Sequence, residues 1–151
     1  FAFSKNEVVF IDLQLVFNQS NYGKKVQEKL KKINDTNIKI FKKEESEIKK
    51  INENIKKIKN IVSEEELEVK VKELNKKIDL FNNKKKTVSL EFNDLRKKEL
   101  AIFFDKIGVI LSDYMTENSI SLILEKKNIL IGKDNLSITN EILSLVNDKI
   151  N

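Results

Sequence analysis

The spacing of apolar residues changes from short apolar runs at the two ends of the chain to a helical repeat in the middle. From Lys24 onward, apolar side chains recur every three or four positions, which is the period of an amphipathic helix. This repeat predicts two helices, at about 24–61 and 64–117. Between them, Ser63 and Glu66 match the capping box that opens a helix. The middle of the chain is therefore predicted to be a helical hairpin.

The two predicted helices carry matching apolar stripes, as an antiparallel coiled coil requires. Folding them about Ser63 pairs Ile48 with Phe81, Ile51 with Ile78, and Ile55 with Leu74. The same register places Glu44 opposite Lys85 and predicts an ion pair between them. Loss of either partner would leave the other charge unpaired and would destabilise the hairpin. The stripe weakens toward the base of the hairpin at Leu30, Asn34, Asn37 and Glu99. We expect the hairpin to bend or open at this weak zone.

The apolar runs at the chain ends are typical of buried strands. They predict three strands, at about 7–13, 120–124 and 129–132, the last two joined by a polar turn as a β-hairpin. Asp12 and the apolar pair that follows at 16–17 predict a short helical turn, and 18–23 has the composition of a loop. Thr139 is a candidate N-cap for a closing amphipathic helix at about 140–149.

These patterns predict a mostly α protein with a small β body. The body would comprise residues 1–23 and 103–151, and the helical-hairpin arm would comprise 24–102, with its tip near 62–64. So few residues outside the arm make only a marginal core. We therefore expect the strands of several copies to close a shared sheet without exposed edges. The predicted oligomerisation residues are Val9, Phe10, Ile11, Ile120, Leu122, Leu124, Ile129 and Ile131.

The composition excludes several kinds of chemistry. The 151 residues include no Cys, His, Pro or Trp, and only three Gly. Thiol nucleophiles, thiolate zinc sites, imidazole bases and a Ser-His-Asp triad are therefore absent, as is a glycine-rich phosphate loop. The carboxylate runs Glu44–Glu45 and Glu64–Glu66 stand among lysines, so we interpret them as helix surface rather than metal ligands. The prediction is a protein that is not an enzyme and has no catalytic residue, metal or cofactor.

Positive charge is concentrated in the helical region. The whole chain has a net charge of +5, whereas residues 24–99 hold 23 Lys and Arg against 15 Asp and Glu. Aliphatic residues also lie outside the stripe, and on a cationic rod they suit weak contacts with unfolded chains. The candidate contact residues are Lys42, Lys43, Lys49, Lys50, Lys56, Lys57, Lys84, Lys86, Ile38, Val69, Leu80 and Leu90.

The alternative interpretation is a structural or adaptor coiled coil whose basic arm binds a folded partner or nucleic acid. Nucleic acid is disfavoured because Arg96 is the single arginine, whereas base readout prefers arginine. The arm surface also lacks aromatic platforms for base stacking. Contact with phosphates through lysines alone stays open.

Four segments near the ends of the chain form a recognisable pattern: Val8–Asn18 followed by Gly23-Lys24-Lys25, Ile120–Leu124, Ile129–Ile131 and Leu136–Leu143. With these segments, both ends of the chain resemble the Skp (OmpH-like) periplasmic chaperones. The helical middle also fits the layout of that family, so the resemblance covers nearly the whole chain.

The resemblance implies a homotrimer of "jellyfish" architecture, in which each chain contributes three strands to an intersubunit β-barrel and one arm to the wall of a cavity. It implies an ATP-independent holdase that keeps unfolded outer-membrane β-barrel proteins in that cavity. The implied location is the periplasm, and a removed signal peptide is the matching expectation for a chain that starts at Phe1. An anionic membrane surface or lipopolysaccharide is a further candidate partner, although no constellation of Arg and Lys matches a lipopolysaccharide site.

Overall fold

Long helices dominate the structure, a computed structural model that describes residues 7–150. Residues 1–6 and 151, which the predicted body includes, lie outside the described residues. The elements are β1 (Glu7–Ile11), α1 (Leu13–Gln19), α2 (Asn21–Ile58), α3 (Glu64–Glu117), β2 (Ile120–Glu125) and α4 (Thr139–Lys149), with 3-10 turns at Lys126–Asn128 and Asp134–Leu136. The prediction of a mostly helical chain with a small sheet is confirmed.

The described chain forms two compact units. One unit contains the residues up to Lys29 and those from Lys97 onward, and we call it the terminal unit. The other consists of Leu30–Arg96, and we call it the hairpin unit. Each unit therefore contains a part of α2 and a part of α3.

The sheet of the terminal unit consists of β1 and β2, which run parallel. In their register, Val8 pairs with Leu122 and Phe10 with Leu124. A parallel pair needs a long crossover between its strands, and here the intervening helices supply it. On the other side of β1, the Ile138 amide donates to the Phe10 carbonyl over 2.9 Å. β1 is therefore flanked on both sides, by β2 and by the segment that leads into α4.

One face of this sheet lies on the core of the terminal unit. Asp12 ends β1 and caps α1, because its side chain accepts a hydrogen bond from the Leu15 amide over 2.9 Å. The Asp12 amide in turn donates to the Thr139 hydroxyl over 3.0 Å, which ties the start of α1 to the start of α4. The core side chains between these elements and α3 include Val9, Ile11, Val16, Phe103, Ile107, Ile110, Ile142 and Val146.

The prediction of a loop at 18–23 is wrong, because α1 and α2 are joined by Ser20 alone. The Ser20 hydroxyl donates to the Phe17 carbonyl and accepts from the Gly23 amide, each over 3.1 Å. A Cβ at Gly23 would lie 1.6 Å from the Phe17 carbonyl oxygen, so the two helices meet at a spacing that only glycine permits. The polar composition of 18–23 thus reflects a tight helix junction.

The predicted third strand at 129–132 is also wrong. β2 pairs with β1 instead of with the segment that follows it, and the 3-10 turn at Lys126–Asn128 leads into irregular backbone. Leu130 and Ile131 are 97% and 89% exposed there.

The start of α4 also differs from the prediction, because Ile138 is the N-cap and Thr139 is the first helical residue. The Thr139 hydroxyl accepts a hydrogen bond from the Asp12 amide instead of from an amide of α4.

The tip of the hairpin unit follows the predicted capping box in part. The Glu66 amide donates to the Ser63 hydroxyl oxygen over 3.2 Å, and the Leu67 amide donates to the Ser63 carbonyl over 3.0 Å. α3 has the predicted bounds, whereas α2 begins and ends three residues earlier than predicted, at Asn21 and Ile58.

Candidate functional site

The hairpin unit is held together by a narrow apolar stripe. Ile55 and Leu74, predicted to face each other, are the two buried side chains of this unit. The other predicted stripe residues Ile48, Ile51, Ile78 and Phe81 are half-buried. The ring of Phe41 meets that of Phe81 edge-on, with 6.0 Å between the centroids. Two helices alone enclose little volume, so most side chains of the unit keep contact with solvent.

The predicted Glu44–Lys85 ion pair is wrong, because Glu44 pairs with Lys84. Lys85 is exposed, and its ammonium lies 5.4 Å from the ring centre of Phe81. Successive helical residues are rotated by about 100°. Lys84 and Lys85 therefore lie on opposite sides of Phe81, which belongs to the stripe. Glu44 lies on the same side as Lys84 and pairs with it.

The eight lysines predicted to contact a partner are all exposed. Within residues 7–150, Lys84 is the one among them that pairs with a carboxylate. A second ion pair across the hairpin joins Lys77 to Glu47 over 3.6 Å. The remaining seven ammonium groups are thus available to an anionic partner.

The four aliphatic residues predicted to contact a partner are exposed as well. Ile38 is 42%, Val69 54%, Leu80 60% and Leu90 56% exposed. Val69 and Leu80 are eleven residues apart on α3, which places them on nearly one line along the side opposite the stripe. The hairpin unit therefore presents apolar and cationic side chains on its own surface.

A polar cluster that the sequence did not reveal lies in the terminal unit. Lys29 donates to one oxygen of Glu99 over 2.6 Å, and the Tyr22 hydroxyl donates to the other over 3.3 Å. The hydrogen bond from Lys29 holds the pKa of Glu99 below its usual value, although partial burial acts in the opposite direction. Burial, and then the Glu99 charge, raise the pKa of Tyr22. The sequence pattern placed Glu99 in the weak zone of the stripe with Leu30, and nothing in that pattern indicated Lys29 or Tyr22 as its partners.

The predicted oligomerisation residues divide into two groups. Val9, Phe10, Ile11 and Ile120 are buried within their own chain, and Ile129 is half-buried. Leu122, Leu124 and Ile131 are exposed. Val8, Leu122 and Leu124 share the outer face of the sheet, because side chains alternate along a strand. An apolar surface thus lies on the outer face of β1 and β2.

Metal-holding groups and membrane-spanning helices are both absent from the described residues. No group of three carboxylates among residues 7–150 is placed to hold a metal ion. No helix in that range combines the length and apolar character of a membrane span. The arrangement instead provides contact surfaces: a cationic, aliphatic hairpin and an apolar sheet face.

Comparison with known proteins gives a family match and a structural match. The family model for outer membrane protein (OmpH-like) matches residues 7–146. A crystal structure from Caulobacter crescentus, described as an outer membrane chaperone (OmpH-like), superposes with a TM-score of 0.87 at 16% identity. That match covers 95% of this chain and 85% of the other. No curated protein sequence matches the chain. On the strength of the family match over residues 7–146, the chain belongs to the outer membrane protein (OmpH-like) family.

Proposed function

We propose that this protein is an ATP-independent holdase of the periplasm that binds unfolded outer-membrane β-barrel proteins and prevents their aggregation. The observation that carries the proposal is the surface of the hairpin unit. Exposed aliphatic side chains at Ile38, Val69, Leu80 and Leu90 stand among exposed lysines. Family membership supplies the class of protein, and this surface supplies a means of holding an unfolded chain.

Charge and apolar contact have separate tasks in the proposed mechanism. The excess of lysine attracts acidic clients from a distance, and salt weakens this attraction because it screens exposed charges. The aliphatic side chains then cover apolar segments of the client in many weak contacts. Each contact exchanges rapidly, so the client stays mobile and no nucleotide is needed for its release. The same lysines also suit an anionic membrane surface or lipopolysaccharide as a secondary partner.

We propose that the terminal unit assembles the protein into a homotrimer. Two observations support assembly: Leu122 and Leu124 are exposed on the sheet, and Leu130 and Ile131 are almost fully exposed in the segment that follows it. Apolar side chains exposed together in this way mark a surface that binds another chain. In the trimer, predicted body residues 1–23 and 103–151 would form the shared sheet, and arms 24–102 would enclose the client.

Turbidity tests the holdase directly. An outer-membrane β-barrel protein unfolded in urea is diluted into buffer without nucleotide, with and without this protein. We expect suppression of turbidity near one trimer per client, and weaker suppression as salt is added. No suppression at several-fold excess would contradict the proposal and would favour an adaptor coiled coil with a folded partner. Light scattering on the same sample should give the mass of a trimer, and a monomer would contradict the assembly.

A further inference from the structure

The stripe of the hairpin unit is interrupted at the level of Asn37. On α2, Asn34 and Asn37 occupy stripe positions, while α3 offers Val88 and Phe92. Two open grooves, each with a volume of about 240 Å³, lie at this level and share Asn37, Val88 and Phe92 as lining residues. Carbon atoms that line such gaps lack part of their packing contacts. The hairpin thus leaves the apolar surface of its own stripe uncovered here.

The first of these grooves, which we call the Asn37 groove, exposes mainly apolar surface. Four apolar side chains, Ile38, Phe41, Val88 and Phe92, line it together with Asn34, Asn37, Lys85 and Ser89. Apolar walls with a few polar groups are the usual composition of a binding pocket. Two phenylalanine rings favour an aromatic guest, because rings attract one another edge-to-face or in offset stacks. Phe41 already makes such a contact with Phe81 inside the stripe.

Charge distinguishes the Asn37 groove from the second groove. Lys85 lines the first and forms no ion pair with any residue in the described range 7–150, whereas Glu91 lines the second. The surrounding segments 30–44 and 82–96 together contain nine Lys and Arg against four Asp and Glu. The Asn37 groove therefore complements a guest that carries a carboxylate beside its ring.

We propose that the Asn37 groove is a subsite for an aromatic side chain of an unfolded polypeptide, with Lys85 pairing with an acidic residue next to it. This inference rests on the proposed holdase function and adds one preferred contact to its many weak ones. Asn37 has a specific task in this subsite, because a larger apolar residue at that position would fill the groove from within. The polar interruption of the stripe keeps the groove open at some cost in hairpin stability.

The absence of tryptophan from the chain allows a direct test. The probe is a capped, unstructured heptapeptide with one tryptophan between two aspartates, and its twin has asparagines in their place. We expect the tryptophan emission to shift to the blue on binding to the full-length protein. The aspartate peptide should bind about threefold more tightly than its twin, as an exposed ion pair allows. Lys85→Gln should abolish that preference, so that the two peptides bind this variant equally tightly.

Asn37→Leu should weaken peptide binding about tenfold and raise Tm, because leucine fills the groove and packs on Val88 and Phe92. Asn93→Leu makes the same chemical change on the exposed surface of α3, and should leave binding unchanged. Loss of binding in a more stable variant cannot come from misfolding. Equal binding by Asn37→Leu and the unmodified protein would overturn the subsite, as would the absence of any emission shift.

Turbidity assays on the same samples separate the two proposals. If the unmodified protein suppresses client aggregation but Asn37→Leu and Lys85→Gln bind the peptides as it does, the Asn37 groove alone is refuted. If the unmodified protein fails to suppress aggregation, the holdase function is refuted, and the proposed role of the groove in holding a client is refuted with it.

Discussion

The two units differ in where their apolar side chains lie. In the terminal unit, Phe103, Ile142 and Val146 have no exposed surface, whereas Ile55 and Leu74 of the hairpin unit are still 8% and 7% exposed. Leu80 and Leu90 of the hairpin unit are exposed by more than half. The terminal unit thus has a fully buried core besides its exposed apolar side chains, whereas the hairpin unit buries only Ile55 and Leu74 and exposes several of its other apolar residues. The proposed holdase function needs both, because a surface that binds unfolded chains requires a protein that itself stays folded.

The largest expected effect tests the helix junction of the terminal unit. Gly23→Ala would force a Cβ against the Phe17 carbonyl, so it should destabilise the protein by more than about 3 kcal/mol in urea unfolding. Gly108→Ala is the control, because a Cβ at Gly108 meets nothing within 4 Å. In the interior of α3 it should stabilise by about 0.5–1 kcal/mol. Equal effects of both variants would show that the junction does not depend on glycine.

One chemical change made in both units measures the difference between them. Ile142→Ala in the fully buried core of the terminal unit should cost about 3 kcal/mol, whereas Ile78→Ala in the half-buried stripe should cost about 1 kcal/mol. The reason is that the stripe residue loses less buried area and leaves no closed cavity. Hydrogen exchange of amides in each unit would locate the loss. A larger cost for Ile78→Ala would contradict the assignment of the main core to the terminal unit.

The Glu99 cluster makes the stability of the terminal unit depend on pH. The pKa of Glu99 is lower in the folded state, so its contribution is present above the unfolded pKa and disappears as pH falls through the folded value. Glu99→Gln should therefore cost about 1 kcal/mol at pH 7. The difference from the unmodified protein should vanish once acid has protonated Glu99. A cost that stays constant from pH 7 to strong acid would assign the loss to packing instead of charge.

The smallest expected effect concerns the link between α3 and β2. Ser119 has a positive φ of 53°, a conformation that costs a non-glycine residue about 1 kcal/mol. Ser119→Gly should therefore raise stability by a few tenths of a kcal/mol up to about 1 kcal/mol. Ser112→Gly, inside α3, should lower it by a similar amount. A decrease with both variants would mean that the serine side chain at 119 outweighs the backbone strain.

Sequence reasoning performed best where local chemistry determines structure. The bounds of α3 follow from Ser63 and from a long repeat without proline or interior loop signals. It failed where distant contacts decide. Residues 129–132 are as apolar as a strand, but β2 pairs with β1 across more than a hundred residues. The short helix that follows Asp12 was predicted correctly. The junction at Ser20 was wrongly predicted to be a loop, because a tight junction between two helices is built from the same polar residues as a loop.

The exposed positions of the candidate contact surface were predictable from the sequence, whereas the partners of its side chains were not. An exposed position follows from the helical period, so Val69, Leu80 and Leu90 could be placed outside the stripe from spacing alone. The partner of Glu44 could not, because the repeat indicates the stripe residue Lys85, whereas the packing of the two helices brings the neighbouring Lys84 to Glu44. The Asn37 groove likewise depends on which side chains fail to fill the space between the helices.

The most direct test of the account replaces the four exposed aliphatic residues together, as Ile38→Gln, Val69→Gln, Leu80→Gln and Leu90→Gln. Glutamine keeps helix propensity and removes apolar surface, so the mass in solution and the helix content should not change. Client aggregation is then followed by turbidity against the unmodified protein at equal concentration. The account predicts that several-fold more of the variant is needed for the same suppression. Equal suppression by both proteins, with equal mass and helix content, would contradict the claim that the hairpin surface holds the client.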